Sequence, residues 1–224
     1  MFSTSYYEFM SNDMKINVCS IESKLSEQFF AEFKNIAIDA IEKYIDAIMA
    51  FEAKGVERDL YSCIDNEAEE FIRSHYCTLS DKVEAEDALQ VFDALRHSFS
   101  CYAYNGLHQL YTRQENESWH PKVTLVDRLE PNDIDSLDSR ITIYRGCDVG
   151  EFDNKLYGQA WTTSLVVAKD FAFKHYQSQP WFKKEKRTVV ETIYSKEHLL
   201  FSDQTIELEV VVDVKKLIAV QKHT

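Results

Sequence analysis

Two glutamates separated by one residue, Glu207 and Glu209, lie in the segment TIELEVVVDV, residues 205–214. Paired carboxylates can stabilise a developing positive charge and can take up a proton during a reaction. Side chains alternate between the two faces of a strand, so this segment, taken as a strand, places both carboxylates on one face. Like charges side by side repel each other. The pair is therefore interpreted either as a site for chemistry or as the solvated end of a strand.

Two earlier segments carry polar side chains at the ends of predicted strands. In IYRG, residues 143–146, an arginine and a glycine follow a short β-branched and aromatic run. In WTTS, residues 161–164, three hydroxyl residues lead into an amphipathic helix. Each segment also has a purely structural interpretation. Arg145 can be a surface cation, and Thr163 or Ser164 can cap the helix by accepting its first free amides.

The first half of the chain is predicted to be helical. From Leu25 to Lys54, apolar residues recur every three or four positions, which is the spacing of one helix face, and Gly55 follows where helices often end. A second helix is predicted from about Val56 to Tyr76. Asp81, with Glu84 three residues later, predicts the cap of a third helix that runs toward Tyr111.

The second half is rich in strand patterns. Runs of β-branched and aromatic residues predict six strands, at 141–144, 158–164, 187–194, 198–201, 206–214 and 216–221, with one helix at 165–176. The fold class is therefore predicted to be α+β. We expect a helical N-terminal part at 1–116, a connection at 117–138 and a mainly β part at 139–224.

Composition excludes several classes of function. The net charge of −13 gives no general attraction to nucleic acid or to an anionic membrane. No run of 18 apolar residues predicts a membrane span, and the N-terminal residues lack the pattern of a signal peptide. The five cysteines form no CxxC pair and the seven histidines no HExxH pattern, so we expect buried thiols in a reducing compartment, no metal site and a site of action in the cytoplasm.

In this order, the three segments resemble the motifs of mono-ADP-ribosyltransferases of the Arg–Ser–Glu class, which includes many bacterial toxins. That family has an aromatic-Arg motif on a strand, then a Ser-Thr-Ser motif before a helix with an Ala-x-x-Phe-Ala pattern, then Glu-x-Glu at the head of a strand. The matching segments are Tyr144–Gly146, Thr162–Ser164, Ala168–Ala172 and Glu207–Glu209. The resemblance covers about residues 139–221 and departs from the pattern at Thr162, where the family has serine.

The resemblance implies an NAD-binding fold and a role for each matching residue. Glu209 would stabilise the positive charge that develops on the ribose, Thr162 would hold Glu209 in place, and Glu207 would place the acceptor. Arg145 would bind the NAD phosphates, and the backbone of Gly146 would approach the nicotinamide amide. Further NAD contacts would come from Tyr144, Thr163, Ser164 and Phe171.

The same resemblance implies NAD as co-substrate and a toxin or effector that acts in the cytoplasm, either of its own cell or, after secretion, of another. It also implies an antitoxin or immunity partner. A protein arginine is the favoured acceptor. The basic segment PWFKKEKR, residues 180–187, is interpreted as a solvated loop, as a contact for the NAD phosphates, or as a contact for a nucleic-acid acceptor, because cations and aromatics together bind nucleic acid. Its cations are Lys183, Lys184, Lys186 and Arg187. Three alternatives stay open: transfer to RNA or DNA in toxin–antitoxin or phage-defence systems, NAD hydrolysis by water, and a helical interaction module without activity.

Overall fold

The computed structural model describes residues 1–55, 66–104, 123–179 and 182–223. The chain divides into two compact units, Met1–Pro131 and Asn132–Thr224. The boundary between them falls within the connection predicted at 117–138. The first unit is helical and the second is built on an antiparallel sheet, so the α+β class is confirmed. No described helix has the length and apolar character needed to cross a lipid bilayer.

The helices of the first unit bury one apolar face each. Their bounds are α1 Thr4–Glu8, continued by a π-helical turn at Phe9–Asp13, then α2 Val18–Leu25, a 3₁₀ turn at Gln28–Phe30, α3 Lys34–Glu52, α4 Glu67–Ser80 and α5 Glu86–Tyr104. The core includes the face of α3 formed by Ala37, Ile41, Tyr44, Ile45 and Ile48, as its periodicity predicts. Tyr44 packs against Phe99 of α5, with ring centroids 6.0 Å apart.

The helix ends differ from the prediction in three places. The helix predicted from Leu25 begins only at Lys34, because Leu25 is the last residue of α2 and a 3₁₀ turn lies between the two helices. Gly55, with φ of 73°, follows the end of α3 as expected. Asn66 caps α4 by accepting hydrogen bonds from the backbone amides of Ala68 and Glu69, both at 3.0 Å. Asp81 ends α4 and does not start α5. The predicted segments at 56–65 and 105–111 lie outside the described residues.

The second unit contains six strands in one antiparallel sheet with the order β4-β5-β2-β1-β3-β6. The strands are β1 Arg140–Asp148, β2 Ala160–Thr162, β3 Arg187–Ser195, β4 Leu199–Asp203, β5 Glu209–Val212 and β6 Gln221–Lys222. Two helices are added, α6 Val149–Asn154 and α7 Leu165–Phe173, with 3₁₀ turns at Ile134–Ser136, Lys184–Lys186, Lys196–His198 and Val214–Lys216. This order places β1, β2 and β5 next to one another.

The two faces of the sheet are covered differently. One face carries the main core of this unit, which includes Ile143, Cys147, Trp161, Val190 and Val210. The other face is covered in part by α7. Alternation along β1 assigns odd-numbered residues to the main core and even-numbered residues to the α7 face.

Four strand predictions differ from the structure by four or five residues in length. β2 is only three residues of the predicted 158–164. β1 extends four residues beyond 144, and β6 is only two residues of the predicted 216–221. β5 begins at Glu209 and not at Ile206, because Leu208 has φ of 50°, in the left-handed region that a strand does not use. α6 was not predicted; it begins at a cap in which Asp148 accepts a hydrogen bond from the Gly150 amide at 2.7 Å.

Candidate active site

Three of the predicted residues form a row across three adjacent strands. Tyr144 of β1 lies directly opposite Thr162 of β2, and Thr162 lies directly opposite Glu209 of β5. Residues directly opposite in an antiparallel pair share a face of the sheet. The row is therefore on the α7 face, and it brings together residues up to 65 positions apart in the sequence.

The end of β2 holds the segment that carries both glutamates. The Thr162 hydroxyl donates to the Glu207 carbonyl oxygen at 2.8 Å and accepts from the Ser164 amide at 3.0 Å. The Thr163 amide donates to the Leu208 carbonyl oxygen at 2.9 Å. A hydroxyl has one proton to donate, so Thr162 does not also donate to the Glu209 carboxylate. Thr162 holds the backbone two residues before it.

The Glu209 side chain is buried next to other acids. It is 5% exposed, and Asp203 of β4 lies directly opposite it. No residue in the described part of the chain donates a hydrogen bond to its carboxylate. Burial raises the pKa of Glu209 well above its usual range, Glu207 and Asp203 raise it further, and the positive charge of Arg145 opposes the rise. The site therefore favours a positive charge beside this carboxylate.

The Glu207 side chain is half-buried and lies outside the strand. The left-handed Leu208 stands between the two glutamates, so the alternation of a strand does not relate them and the same-face argument from the sequence is wrong. Burial raises the pKa of Glu207; His175, which follows α7, opposes this rise and Asp203 adds to it. Glu207 and Glu209 are nonetheless close enough to influence each other electrostatically.

Arg145 lies on the other face of the sheet, among the main core residues. Its guanidinium donates to both carboxylate oxygens of Glu151 in α6, at 2.9 and 3.1 Å, and to the Ala160 carbonyl oxygen of β2 at 2.7 Å. Arg145 is 7% exposed. The structure thus shows a buried, paired cation that joins β1, β2 and α6, and not the open cation expected for a phosphate contact.

Gly146 has a packing reason to be glycine. A Cβ atom at this position would lie 2.2 Å from the Ala168 carbonyl oxygen and 2.5 Å from the Ala172 amide nitrogen, both backbone atoms of α7. The Ala-x-x-Phe-Ala pattern therefore supplies the small residues that let α7 approach β1. Ser164 caps α7, as predicted, by accepting a hydrogen bond from the Val167 amide at 3.4 Å.

An aromatic group lies at the end of α7, where Phe171 is in its last turn and His175 and Tyr176 follow it. The ring of Phe171 lies 4.8 Å from that of His175, and His175 lies 4.8 Å from Tyr176. Because His175 also influences Glu207, this group lies on the Glu207 side of the row. On the other side of the row, the Tyr144 ring meets the edge of the His223 ring at 5.9 Å.

The predicted basic segment is only partly a surface. Lys183, Lys184 and Lys186 are exposed, whereas Arg187 is 7% exposed. Arg187 donates to the carbonyl oxygens of Ala172 at 3.1 Å and of Phe171 at 3.4 Å, so it caps the end of α7. The expected surface role of Arg187 is corrected, because its donors point to the helix. Residues 180 and 181 of this segment lie outside the described residues.

Several residues of the site were missed by sequence reasoning. Asp203 and Gln204 belong to the polar run SDQT just before the glutamate pair, and this interruption of an apolar pattern could have indicated them. Glu151 follows Arg145 by six residues, a spacing that carries no signal across a strand-to-helix turn. His175 carries no sequence signal either.

The cysteines of the described ranges differ from the expectation of buried thiols. Cys147 is buried and Cys101 is half-buried, whereas Cys19 and Cys77 are exposed, so the expectation is wrong for these last two. Within the described ranges, no group of His, Cys, Asp and Glu side chains could hold a metal ion.

A cleft of about 800 Å³ opens beside β3 and β6, lined in part by Thr142, Glu191 and Ile193. The residues that line it include none of the predicted site residues. The carboxylate cluster is therefore the candidate site because of its chemistry and not because of a large cavity.

Comparison of the chain with protein-family models, with curated proteins and with solved structures gives no match in any of the three.

Proposed function

We propose that this protein is an NAD-dependent mono-ADP-ribosyltransferase, a toxin or effector that transfers ADP-ribose to a macromolecular acceptor. One observation carries the proposal: the segments that resemble the motifs of this family lie on three adjacent strands, with Tyr144, Thr162 and Glu209 in one register row. The three segments are distant in the sequence. Their meeting in one row is what a shared site requires.

The charge of the cluster fits the proposed reaction. The nicotinamide ring of NAD is cationic, and breaking its bond to the ribose leaves an oxocarbenium-like ribosyl group. A carboxylate buried beside two other acids and without a donor among the described residues stabilises such a charge more than a solvated one does. A cation bound next to Glu209 lowers the pKa of this carboxyl, so substrate binding favours the ionised form that the reaction needs.

The bond between C1′ of the ribose and the nicotinamide nitrogen breaks, and nicotinamide leaves with the electron pair. The acceptor nitrogen forms a bond to C1′ and gives up a proton. We assign the uptake of this proton to Glu207. Its pKa is raised, and a general base works best when its pKa lies near the operating pH. A protein arginine suits this role, since its guanidinium donates hydrogen bonds to a carboxylate.

Arg145 has a different proposed part from the one that the resemblance implies. In the paired state it fixes β1 against β2 and lowers the pKa of Glu209 through the sheet. A direct phosphate contact would require its bonds to Glu151 to open. We therefore assign the positioning of the row, and not phosphate binding, to Arg145.

The decisive experiment measures nicotinamide release from labelled NAD by the wild-type protein and by Glu209→Gln. We expect release by the wild type and a loss of at least about a hundredfold in the variant, because a fixed transition-state charge contact is removed. Glu197→Gln is the matched control, since Glu197 is exposed in the turn between β3 and β4. Equal release by all three proteins would refute the assignment of Glu209, and no release by any would refute the reaction.

The acceptor is found in the same assay with a cell lysate and NAD labelled in the adenosine part. Label that is removed by protease and by agents specific for arginine adducts supports a protein arginine. Label that resists protease and is removed by nuclease would replace this acceptor with nucleic acid. Free ADP-ribose as the sole product would make the protein an NAD glycohydrolase.

A further inference from the structure

Gln204 connects three parts of the candidate site through its side-chain amide. Its Oε1 accepts a hydrogen bond from the Thr163 hydroxyl at 2.7 Å. Its Nε2 donates to the Glu209 carbonyl oxygen at 3.0 Å and to the Ser202 hydroxyl at 3.3 Å. One half-buried side chain therefore links the end of β2, the end of β4 and the first residue of β5.

The position of Gln204 makes these bonds relevant to Glu209. Residues 204–208 form the loop between β4 and β5, and Glu209 is the first strand residue after it. Thr162 and Thr163 hold this loop at Glu207 and Leu208. Gln204 holds the same loop at its other end and reaches across it to the backbone of Glu209. The Gln204 backbone amide itself donates to Asp133 at 2.7 Å, which fixes the origin of the side chain.

We propose that Gln204 is a positioning residue for the transfer reaction: its side-chain amide fixes the backbone of Glu209 and thereby the place of the catalytic carboxylate. This inference rests on the proposed function. Gln204 does not touch substrate in this assignment. It acts through the start of β5, where a small displacement moves the Glu209 carboxylate relative to Thr162 and Asp203.

The chemistry of the contact explains why an amide suits this position. The residue must accept from a hydroxyl and donate to a carbonyl at the same time, which an amide does and a thioether does not. A glutamic acid does both only when it is protonated. Its ionised form would add a fifth carboxylate to those of Asp133, Asp203, Glu207 and Glu209, with His175 as the base on the Glu207 side. These charges favour the protonated form of a glutamic acid at 204 at moderately acidic pH.

The test compares Gln204→Met, Gln204→Glu and the control Gln221→Met, which removes an exposed glutamine of β6 that donates to Glu191. For Gln204→Met we expect kcat for nicotinamide release to fall about 10- to 100-fold, because a displacement of about 1 Å has effects of this size. KM for NAD should stay within about twofold, since binding contacts are kept. For Gln204→Glu, activity relative to wild type should rise as the pH falls from about 8 to about 5.5. Gln221→Met should match wild type.

The opposite outcomes overturn the proposal. An active wild type with unchanged kcat in Gln204→Met would refute it, and so would a Gln204→Glu variant whose activity relative to wild type does not depend on pH. If Gln204→Met fails to fold, Thr163→Val removes the same hydrogen bond from the other side and should lower kcat in the same manner.

A second readout keeps this inference separate from the proposed function. If the wild type releases no nicotinamide, the carboxyl ¹³C signal of Glu209 is titrated in wild type, Gln204→Met and Gln221→Met. A displaced carboxyl changes its distances to Asp203 and Glu207, so its titration midpoint should shift in Gln204→Met alone. Identical midpoints in all three proteins would show that Gln204 does not position Glu209.

Discussion

Replacing Glu209 with glutamine should stabilise the sheet unit at neutral pH. The folded state raises the pKa of Glu209, so it holds the carboxyl proton more tightly than the unfolded chain does. Above the unfolded pKa, ionisation of the buried group therefore costs folding free energy, and this cost grows until the pH passes the folded pKa. The glutamine side chain has a nearly equal shape and no charge, and its amide can donate to the neighbouring carboxylates of Asp203 and Glu207.

The size of the gain follows from the surroundings of the carboxylate. Glu209 is 5% exposed, so solvent screens it little. Leaving a buried polar group without partners typically costs about 1–3 kcal/mol, and more when it is charged. We expect Glu209→Gln to raise the free energy of unfolding by about 1–3 kcal/mol at pH 8 and by almost nothing below about pH 4, where the wild-type carboxyl is protonated in both states.

Amide hydrogen exchange of the β2 and β5 peptides measures this free energy within the sheet unit. The exposed Glu197→Gln variant controls for a change in net charge, and it should show no difference between pH 4 and pH 8 beyond that of wild type. The reasoning fails if Glu209→Gln destabilises β2 and β5 equally at both pH values, because the carboxylate would then be favourable and not costly in the folded state.

Three further predictions concern the elements around the site. Gly146→Ala should lower the free energy of unfolding by about 1–3 kcal/mol in urea titrations, since the new Cβ meets the backbone of α7; an unchanged midpoint would contradict this packing. Arg145→Met should lower the free energy of unfolding by about 3–5 kcal/mol, and the double variant with Glu151→Met should lower it by clearly less. A phosphate contact would instead show as a raised KM for NAD in both variants. Arg187→Met should lower the thermal midpoint while Lys184→Met leaves it unchanged, and equal effects would place Arg187 on the surface.

The parts of the fold that the sequence predicted are those with local patterns. The buried positions of α3 follow from apolar residues every three or four positions, and β3 follows from a β-branched run at 187–194. In both cases the local spacing and type of the apolar residues indicate whether the segment is a helix or a strand. The cap by Ser164 was predicted for the same reason, because its partner is only three residues away.

The parts that were missed depend on contacts between distant segments. The start of β5 is set by a left-handed Leu208, and that residue is held by the Thr163 amide, 45 positions earlier. A left-handed conformation at leucine is unfavourable in isolation, so no local pattern indicates it. The predicted strand from 206 fails for this reason, and with it the argument that the alternation of a strand puts Glu207 and Glu209 on one face.

The matched segments predicted positions on the backbone better than the roles of side chains. They lie on neighbouring strands, yet Gly146 is accounted for by the backbone of α7 and Arg145 by its bonds to Glu151 and Ala160. Packing therefore explains these two residues without any ligand. Packing does not explain Glu209, a buried carboxyl beside two other acids and with no donor among the described residues. Residues that lower stability and have no role in packing are concentrated at functional sites. Glu209 is therefore stronger evidence for a function at this row than Arg145 or Gly146 is.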